Sequence, residues 1–324
     1  MTAKTLVIQP LPGIGDMVWH LPLIHAIASQ APGGQVSILT KPRSGADRLL
    51  AADDRVAGVL WLERNPGPHD GIGGLFRLAA MLRQNDFSQA WVLHDSVRYA
   101  LAAWLAGIPQ RFGYGCGGQR RWLNAGPVLP PDQCRAHPIE KAALFRDLAG
   151  LPEVESEPVL PVSSAVVNDL CQRLASMPRP WLALGIGSSE PYKQWGAEPF
   201  AVLAAAFCRR SGGSVFVVGG PAENTLASDI AGRAQEARLL QAVAWPLDET
   251  AALLSVCDLF VGNDTGVLNM AAAVGIPAIG LFGASEPLWH ASRLRCVVPA
   301  RPEEGMAGIR VDEVLNLAMT LLEE

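Results

Sequence analysis

The sequence lacks the features that mark several classes of protein. Its six cysteines form no CxxC pair, and this spacing predicts reduced thiols rather than a disulfide framework or a zinc site. No apolar run reaches the roughly 18 residues that a membrane-spanning helix needs, and the first residues have no signal-peptide pattern. We therefore expect a cytoplasmic protein, with peripheral contact to the inner membrane left open.

The chain also contains few charged residues. Charged residues make up 18% of the chain, and the formal net charge is −5. Residues 1–160 hold 15 Lys and Arg against 14 Asp and Glu, which is far from the basic balance of a nucleic-acid-binding domain. Nucleic acid is therefore not an expected partner, whereas a local group of arginines would suit an anionic substrate.

The sequence does contain short apolar runs that alternate with amphipathic stretches. This alternation is typical of βαβ units and predicts α/β domains with doubly wound parallel sheets. It is interrupted at residues 151–162, which are rich in proline and glutamate, and restarts at Trp181–Gly185. A length of 324 residues also suits two domains. We predict an N-terminal acceptor-binding domain at 1–160 and a C-terminal nucleotide-sugar-binding domain at 161–310. A C-terminal helix at 311–324 follows, and one arrangement open to it is packing against the N-terminal domain.

A glycine-rich turn follows the first predicted strand and precedes a helix, in the order Pro12-Gly13-Ile14-Gly15-Asp16. Glycines at such a turn let a substrate approach the backbone and the helix N-terminus. A dinucleotide fingerprint would need a third glycine at Val18, so a dinucleotide cofactor is disfavoured. From position alone, Asp16 either caps the helix or supplies a reactive carboxylate.

Three further loops, all in the second half, follow predicted strands. Residues 185–195 combine glycines and serines with Lys193, which is able to bring a positive charge to a diphosphate. Residues 219–223 end in Glu223, whose carboxylate is able to accept hydrogen bonds from ribose hydroxyls. Residues 262–271 open an alanine-rich helix with small polar residues, a pattern that favours a phosphate cradle.

In their order along the chain these segments resemble glycosyltransferase family 9, the ADP-heptose:lipopolysaccharide heptosyltransferases. The resemblance rests on GIGDMVWHLPLIHAI, Arg111–Tyr114 and His137–Lys141 in the first half. In the second half it rests on Lys193–Trp195, GGPAEN and NDTGVLNMAAAVGIPAIGLFGASEP. It implies a GT-B architecture, in which two Rossmann-like, doubly wound parallel-sheet domains face each other across a cleft.

The resemblance also implies a function. This is an inverting, metal-independent transfer, without a cofactor, of heptose from ADP-heptose to a lipopolysaccharide-core or related saccharide. The acceptor is expected to be anionic or lipid-linked. Asp16 falls on the catalytic base of the family. The candidate donor-binding residues are Gly187, Ser188, Lys193, Glu223, Asp264, Thr265, Gly266 and Asn269. The candidate acceptor-binding residues are Gly13, Gly15, Lys41, Arg43, Arg111 and Arg120.

One position departs from the family pattern. The family loop reads DTGxxH, whereas Asn269 stands where the histidine is expected. Asparagine still donates a hydrogen bond but carries no positive charge. Three alternatives therefore stay open: a nucleotide-sugar epimerase of GT-B architecture, a non-catalytic nucleotide-sugar-binding homologue, and a heptosyltransferase that acts on protein.

Overall fold

The structure is a computed structural model that describes residues 3–288 and 290–323. The chain divides into two compact units, Met1–Val159 and Leu160–Glu324. Their boundary falls inside the segment 151–162, where the βαβ pattern is interrupted. Among the described helices, none combines the length and the apolar character needed to cross a membrane.

The first unit is built around a parallel sheet with the strand order β3-β2-β1-β4-β5. The short apolar runs form its strands because parallel strands are covered on both faces, and Leu6, Val7 and Ile8 of β1 are fully buried. In chain order the elements are β1 (Lys4–Ile8), α1 (Ile14–Gln30), β2 (Val36–Thr40), α2 (Ala46–Leu49), β3 (Val56–Trp61), α3 (Gly71–Gln84), β4 (Phe87–Val92), α4 (Val97–Leu105), β5 (Gln110–Gly113) and α5 (Pro138–Leu148).

The strand order of this first sheet reverses its winding direction between β1 and β4. Right-handed crossovers then carry α1 and α2 to one face of the sheet and α3 and α4 to the other. Contacts agree with this arrangement, because α3 packs beside α4 and α1 packs beside α5. Leu78 and Leu82 of α3 share a core with Tyr99 and Ala103 of α4 and with the sheet.

The second unit has a six-stranded parallel sheet in the order β8-β7-β6-β9-β10-β11. Helix α11 belongs to this unit, since it packs against α7 and buries Val314 and Ala318 in the core of the unit. Packing of this helix on the N-terminal domain stays a prediction. The elements are α6 (Ser164–Arg173), β6 (Trp181–Gly185), α7 (Ala197–Ser211), β7 (Ser214–Gly219), α8 (Asn224–Arg233), β8 (Leu239–Val243), α9 (Leu247–Val256), β9 (Leu259–Asn263), α10 (Gly266–Ala273), β10 (Ala278–Leu281), β11 (Leu294–Val297) and α11 (Val311–Glu323).

The expectation that all the cysteines are reduced is wrong for one pair. Cys116 and Cys134 form a disulfide across a sequence separation of 18 residues. The chain turns back between them through the 3-10 helix Gly117–Trp122, which contacts α4. That turn depends on tertiary packing and leaves no CxxC signature, so cysteine spacing alone did not predict it.

A buried ionic cluster ties the end of the first unit to its sheet. His25 of α1 is fully buried, and its Nε2 lies 2.7 Å from Asp53 Oδ2. The Nδ1 atom of His25 contacts Glu155, which lies in the segment after α5. Arg55 completes the cluster, with Nη1 2.7 Å from Glu155 Oε1 and Nε 3.2 Å from Asp53 Oδ1. Both ring nitrogens of His25 therefore face a carboxylate.

This cluster makes the stability of the first unit depend on Asp53. Burial by itself raises the pKa of Asp53, but hydrogen bonds from His25 and Arg55 outweigh it and hold this pKa below its usual range. A carboxylate with a lowered folded-state pKa stabilises the fold above its unfolded-state pKa, and this contribution is lost as the pH falls through the folded-state value.

We expect Asp53→Asn to lower the free energy of unfolding at neutral pH by about 3 kcal/mol, the cost of breaking a buried ion pair. Urea unfolding of wild type and variant at pH 7 and below pH 4 measures this, and the difference between them should shrink at the acidic pH. Asp54→Asn, at the exposed neighbouring position, is the matched control. An equal effect of both substitutions would contradict the role of the cluster.

Candidate active site

Several of the predicted site residues, among them Asp16, Gly187 and Asp264, lie beside the two places where the sheets reverse their winding direction. In open α/β sheets, ligands bind in the crevice outside the carboxyl ends of the strands at such a place. In the first unit, Asp16 follows β1 and Asp95 follows β4, its neighbour in the sheet. In the second unit, Gly187 follows β6 and Asp264 follows β9, again a neighbour. Each sheet therefore offers one candidate half-site.

Asp16 lies in the first turn of α1, where its carboxylate also caps the helix. Its Oδ2 accepts a hydrogen bond of 2.9 Å from the backbone N–H of Gly13. A Cβ atom at position 13 would lie only 2.7 Å from the same oxygen. A side chain at position 13 would therefore displace the Asp16 carboxylate from its capping position.

Buried polar side chains form hydrogen bonds with the backbone carbonyl of Asp16. The Nδ1 atom of His20 lies 2.7 Å from the Asp16 carbonyl oxygen, and the Gln9 amide donates to the same oxygen at 3.2 Å. Thr40 in turn donates to Gln9 Oε1. Burial lowers the pKa of His20, which favours a neutral ring with its proton on Nδ1. His20 is buried and supports the turn that carries Asp16.

A second carboxylate, Asp95, lies at the end of β4. Its Oδ2 accepts from Lys141 Nζ of α5 at 2.7 Å. Its Oδ1 is shielded from solvent and makes no hydrogen bond within the part of the chain that the structure describes. The neighbouring His94 has a lowered pKa, first because it is buried and also because of the charges on Lys141 and Lys41. These groups thus form one electrostatic cluster, which includes the predicted residue Lys41.

The arginines predicted for the acceptor side are not gathered around Asp16. Arg111 donates through Nε to the Trp122 carbonyl at 2.7 Å and through Nη1 to the Ile108 carbonyl, so it ties together its own loop. Arg43 is exposed on the 3-10 helix after β2, and Arg120 is exposed on the 3-10 helix after β5. No contact given for the described residues joins these three arginines to Asp16.

In the second unit an ion pair joins two of the predicted donor residues. Lys193 Nζ lies 2.8 Å from Asp264 Oδ2, and both side chains are largely buried. Ser285 Oγ donates to the same Asp264 oxygen at 2.7 Å. Thr265 is the N-cap residue of α10, and its shielded Oγ1 makes no hydrogen bond with any described residue. A lysine, an unused hydroxyl and the N-terminus of a helix that begins at Gly266 together suit an anion.

The loops after β6 and β7 meet next to this ion pair. A Cβ at Gly187 would lie 3.8 Å from the Glu223 carboxyl carbon, so the two predicted residues are neighbours. Glu223 Oε2 accepts from the Gly220 backbone N–H at 2.8 Å. Ser188 donates to the Glu190 carbonyl. Asn263, at the end of β9, donates to the carbonyls of Ile186 and Gly187 and thereby fixes the Gly187 loop against Asp264.

Asn269, which replaces the expected histidine, is 2% exposed and lies one turn into α10. Its Nδ2 donates to the Thr265 carbonyl at 3.1 Å. The amide therefore holds the cap residue of the helix. Through this bond Asn269 supports the N-terminus of α10.

Several residues at the two half-sites were missed in the sequence. Asp95 and Asn263 each sit at the end of a predicted strand, the same signal that singled out Lys193 and Glu223. Lys141 lay in the family-like segment His137–Lys141, but nothing local to α5 indicated that it pairs with Asp95. Ser285 lay in the family-like segment that ends in GASEP, but its pairing with Asp264 depends on the fold, and Gln9 carried no local signal.

Comparison with known proteins agrees with this geometry. The sequence model of glycosyltransferase family 9 (heptosyltransferase) matches residues 75–294. The chain is 26% identical over 302 residues to lipopolysaccharide heptosyltransferase 2 of Salmonella typhimurium, covering 88% of this chain and 84% of that protein.

Two solved structures share the fold over almost the whole chain. E. coli ADP-heptose lps heptosyltransferase II is 24% identical, with a TM-score of 0.79 and coverage of 98% of both chains. E. coli heptosyltransferase WaaC with ADP-2-deoxy-2-fluoro heptose is 14% identical, with a TM-score of 0.75 over 98% of this chain and 99% of that one. The predicted fold class, two Rossmann-like parallel-sheet domains of the GT-B type, is confirmed. Since the family match extends over more than half of the sequence, the chain belongs to glycosyltransferase family 9, the heptosyltransferase family.

Proposed function

We propose that the protein transfers heptose from ADP-heptose to a lipopolysaccharide-core or related anionic saccharide, with inversion and without a metal ion. The observation that carries the proposal is the group around the N-terminus of α10, where Lys193, Asp264 and the unused Thr265 hydroxyl meet. The donor is suggested by the relatives, one of which was solved with ADP-2-deoxy-2-fluoro heptose.

The charge of a leaving ADP requires stabilisation as the glycosidic bond breaks. Lys193 is paired with Asp264, and a diphosphate would compete for its ammonium group. The Thr265 hydroxyl and the backbone N–H groups that open α10 add neutral donors along the helix dipole. We assign this group to the donor phosphates, Glu223 to the ribose, and Gly187 and Ser188 to the loop that covers them.

Asp16 is the proposed general base. In a single displacement, the acceptor hydroxyl attacks the anomeric carbon of the donor, its proton passes to the Asp16 carboxylate, and ADP leaves from the opposite face. The hydrogen bonds from His20 and Gln9 to the Asp16 carbonyl fix the turn on which this carboxylate depends. The free Oδ1 of Asp95 is the proposed acceptor-hydroxyl contact, held in place by Lys141.

Lys41 adds positive charge near His94, and we assign it with Gly13 and Gly15 to the acceptor side. Arg43, Arg111 and Arg120 stay predictions for this role. A cytoplasmic location also remains a prediction.

Asp16→Asn should lower kcat for heptosyl transfer by about 100-fold or more, the usual contribution of a positioned general base. Binding of ADP should be unchanged, because the proposed donor residues lie in the other unit. Transfer is followed by ADP release, and binding by calorimetry. Asp47→Asn, an exposed first-turn aspartate of α2, is the control. Full activity of Asp16→Asn together with a dead Asp95→Asn would reassign the base to Asp95.

Gly13→Ala should reduce kcat by up to about 100-fold, since a small misplacement of a reacting group has effects of this size. The new methyl group would stand 2.7 Å from Asp16 Oδ2 and displace it. Gly58→Ala is the matched control, because a Cβ there meets nothing within 4 Å. Equal kcat values for the two variants at equal melting temperature would argue against a role for the Asp16 carboxylate.

Lys193→Ala should weaken ADP binding by about 10-fold to 100-fold, as expected for loss of a hydrogen bond to a charged group. A thermal-shift series with ADP, ADP-heptose, UDP, GDP and NAD measures this, because a ligand of the folded state raises the melting temperature. Lys4→Ala, at an exposed position, controls for loss of a lysine. Stabilisation by NAD or UDP alone would reject the donor assignment.

A further inference from the structure

The outer surface of helices α3 and α4 exposes large apolar side chains. Ile72 is 78% exposed and Phe76 is 57% exposed, one turn apart on α3. On the neighbouring helix α4, Val97 and Trp104 are 36% and 48% exposed. We call these four side chains the α3/α4 face. Exposed apolar side chains of this size on two adjacent helices indicate an interaction surface.

The two helices form one layer, tied together at both ends. Near their N-termini, Arg98 of α4 donates to the carbonyls of His69 and Gly71 at the start of α3. Near their C-termini, Arg83 of α3 donates to the Leu105 carbonyl of α4. The inner sides of both helices are already occupied by the core of the first sheet. The apolar outer side is therefore not needed for the packing of this layer.

The segments that carry and adjoin this face hold charges of one sign, and Asp70, which caps the start of α3, is paired with Arg64. The sequences of α3, α4 and the adjoining 3-10 helix Gly117–Trp122 contain no Asp or Glu. The 3-10 helix contacts α4, and the Trp122 ring packs at a tilt against Trp104, with ring centroids 4.9 Å apart. The three segments contribute five arginines, Arg77, Arg83, Arg98, Arg120 and Arg121.

We propose that the α3/α4 face docks the protein on the surface of an anionic lipid bilayer. Apolar side chains with a surrounding ring of cations are the pattern that binds a bilayer interface, since the side chains enter the acyl boundary and the cations meet the lipid headgroups. A protein partner that complements these arginines would present carboxylates to them. Such a surface would not offer the apolar layer that Ile72 and Phe76 need.

The position of the face also suits an acceptor that carries a lipid. In a parallel βαβ fold, every helix that follows a strand starts at the carboxyl edge of the sheet. The N-terminal turns of α3 and α4, with Ile72, Phe76 and Val97, therefore lie at the edge that carries Asp16. The docking itself requires no transfer activity, so it stands or falls independently of the proposed reaction.

The test is co-sedimentation of the full chain, without donor or acceptor, with vesicles of phosphatidylcholine alone or mixed with phosphatidylglycerol. We expect binding to the anionic vesicles that weakens as salt is added, because salt screens the arginine contribution. Ile72→Ser/Phe76→Ser should lower the partition coefficient by about tenfold or more, since it removes the apolar anchors. Both positions are exposed, so its melting temperature should match that of wild type.

Two further variants complete the design. Val202→Ser/Val298→Ser removes two comparably exposed apolar side chains from the second unit and should bind as wild type does. Arg77→Gln/Arg121→Gln should reduce the binding and flatten its dependence on salt. Wild-type protein that stays in the supernatant, or an Ile72→Ser/Phe76→Ser variant that sediments like wild type, would overturn the proposal. So would concentration-dependent self-association, without lipid, that this variant abolishes, because the face would then bind a second copy.

Discussion

Both half-sites depend on the reversal of winding direction in the two parallel sheets. The chain leaves β1 and β4 on opposite sides of the first sheet, and β6 and β9 on opposite sides of the second. Loops that leave in opposite directions open a crevice at the carboxyl ends of these strands. Asp16 and Asp95 border the first crevice, and Lys193 and Asp264 border the second. The remaining contacts, such as those of Gln9 and Asn263, hold these loops in place.

The two candidate sites differ in the charge of the groups that surround their carboxylates. In the second unit the Lys193–Asp264 pair is an internal substitute for the anion that the site is proposed to bind, so that the lysine is not left uncompensated before the donor arrives. In the first unit His20 and His94 both have a lowered pKa, chiefly because of burial. These rings are therefore neutral at pH 7, and the cation that pairs with Asp95 is Lys141, through Oδ2, whereas Asp95 Oδ1 makes no hydrogen bond with any described residue.

The sequence predicted the central strands and the loops that follow them, because these strands are apolar runs and the loops concentrate small polar residues. It did not predict β5 and β11, which are edge strands with polar residues such as Gln110 and Arg295. It placed the start of α1 later than Ile14, since the bond between Asp16 and Gly13 that caps the helix cannot be read from composition. The Lys141–Asp95 pair and the Cys116–Cys134 disulfide depend on tertiary packing. Residue spacing carries no information on either.

The central claim is that the chain joins a heptosyl group to a saccharide acceptor. The most direct test is to incubate the wild-type protein with ADP-heptose and a lipopolysaccharide-core acceptor. The mass of the acceptor is then measured by mass spectrometry. The account predicts that the acceptor gains one heptosyl residue and that ADP appears in equal amount. An unchanged acceptor would contradict it. If a nucleotide sugar were isomerised in the absence of any acceptor, the carboxylates and histidines of the first unit would have to be reassigned to epimerisation.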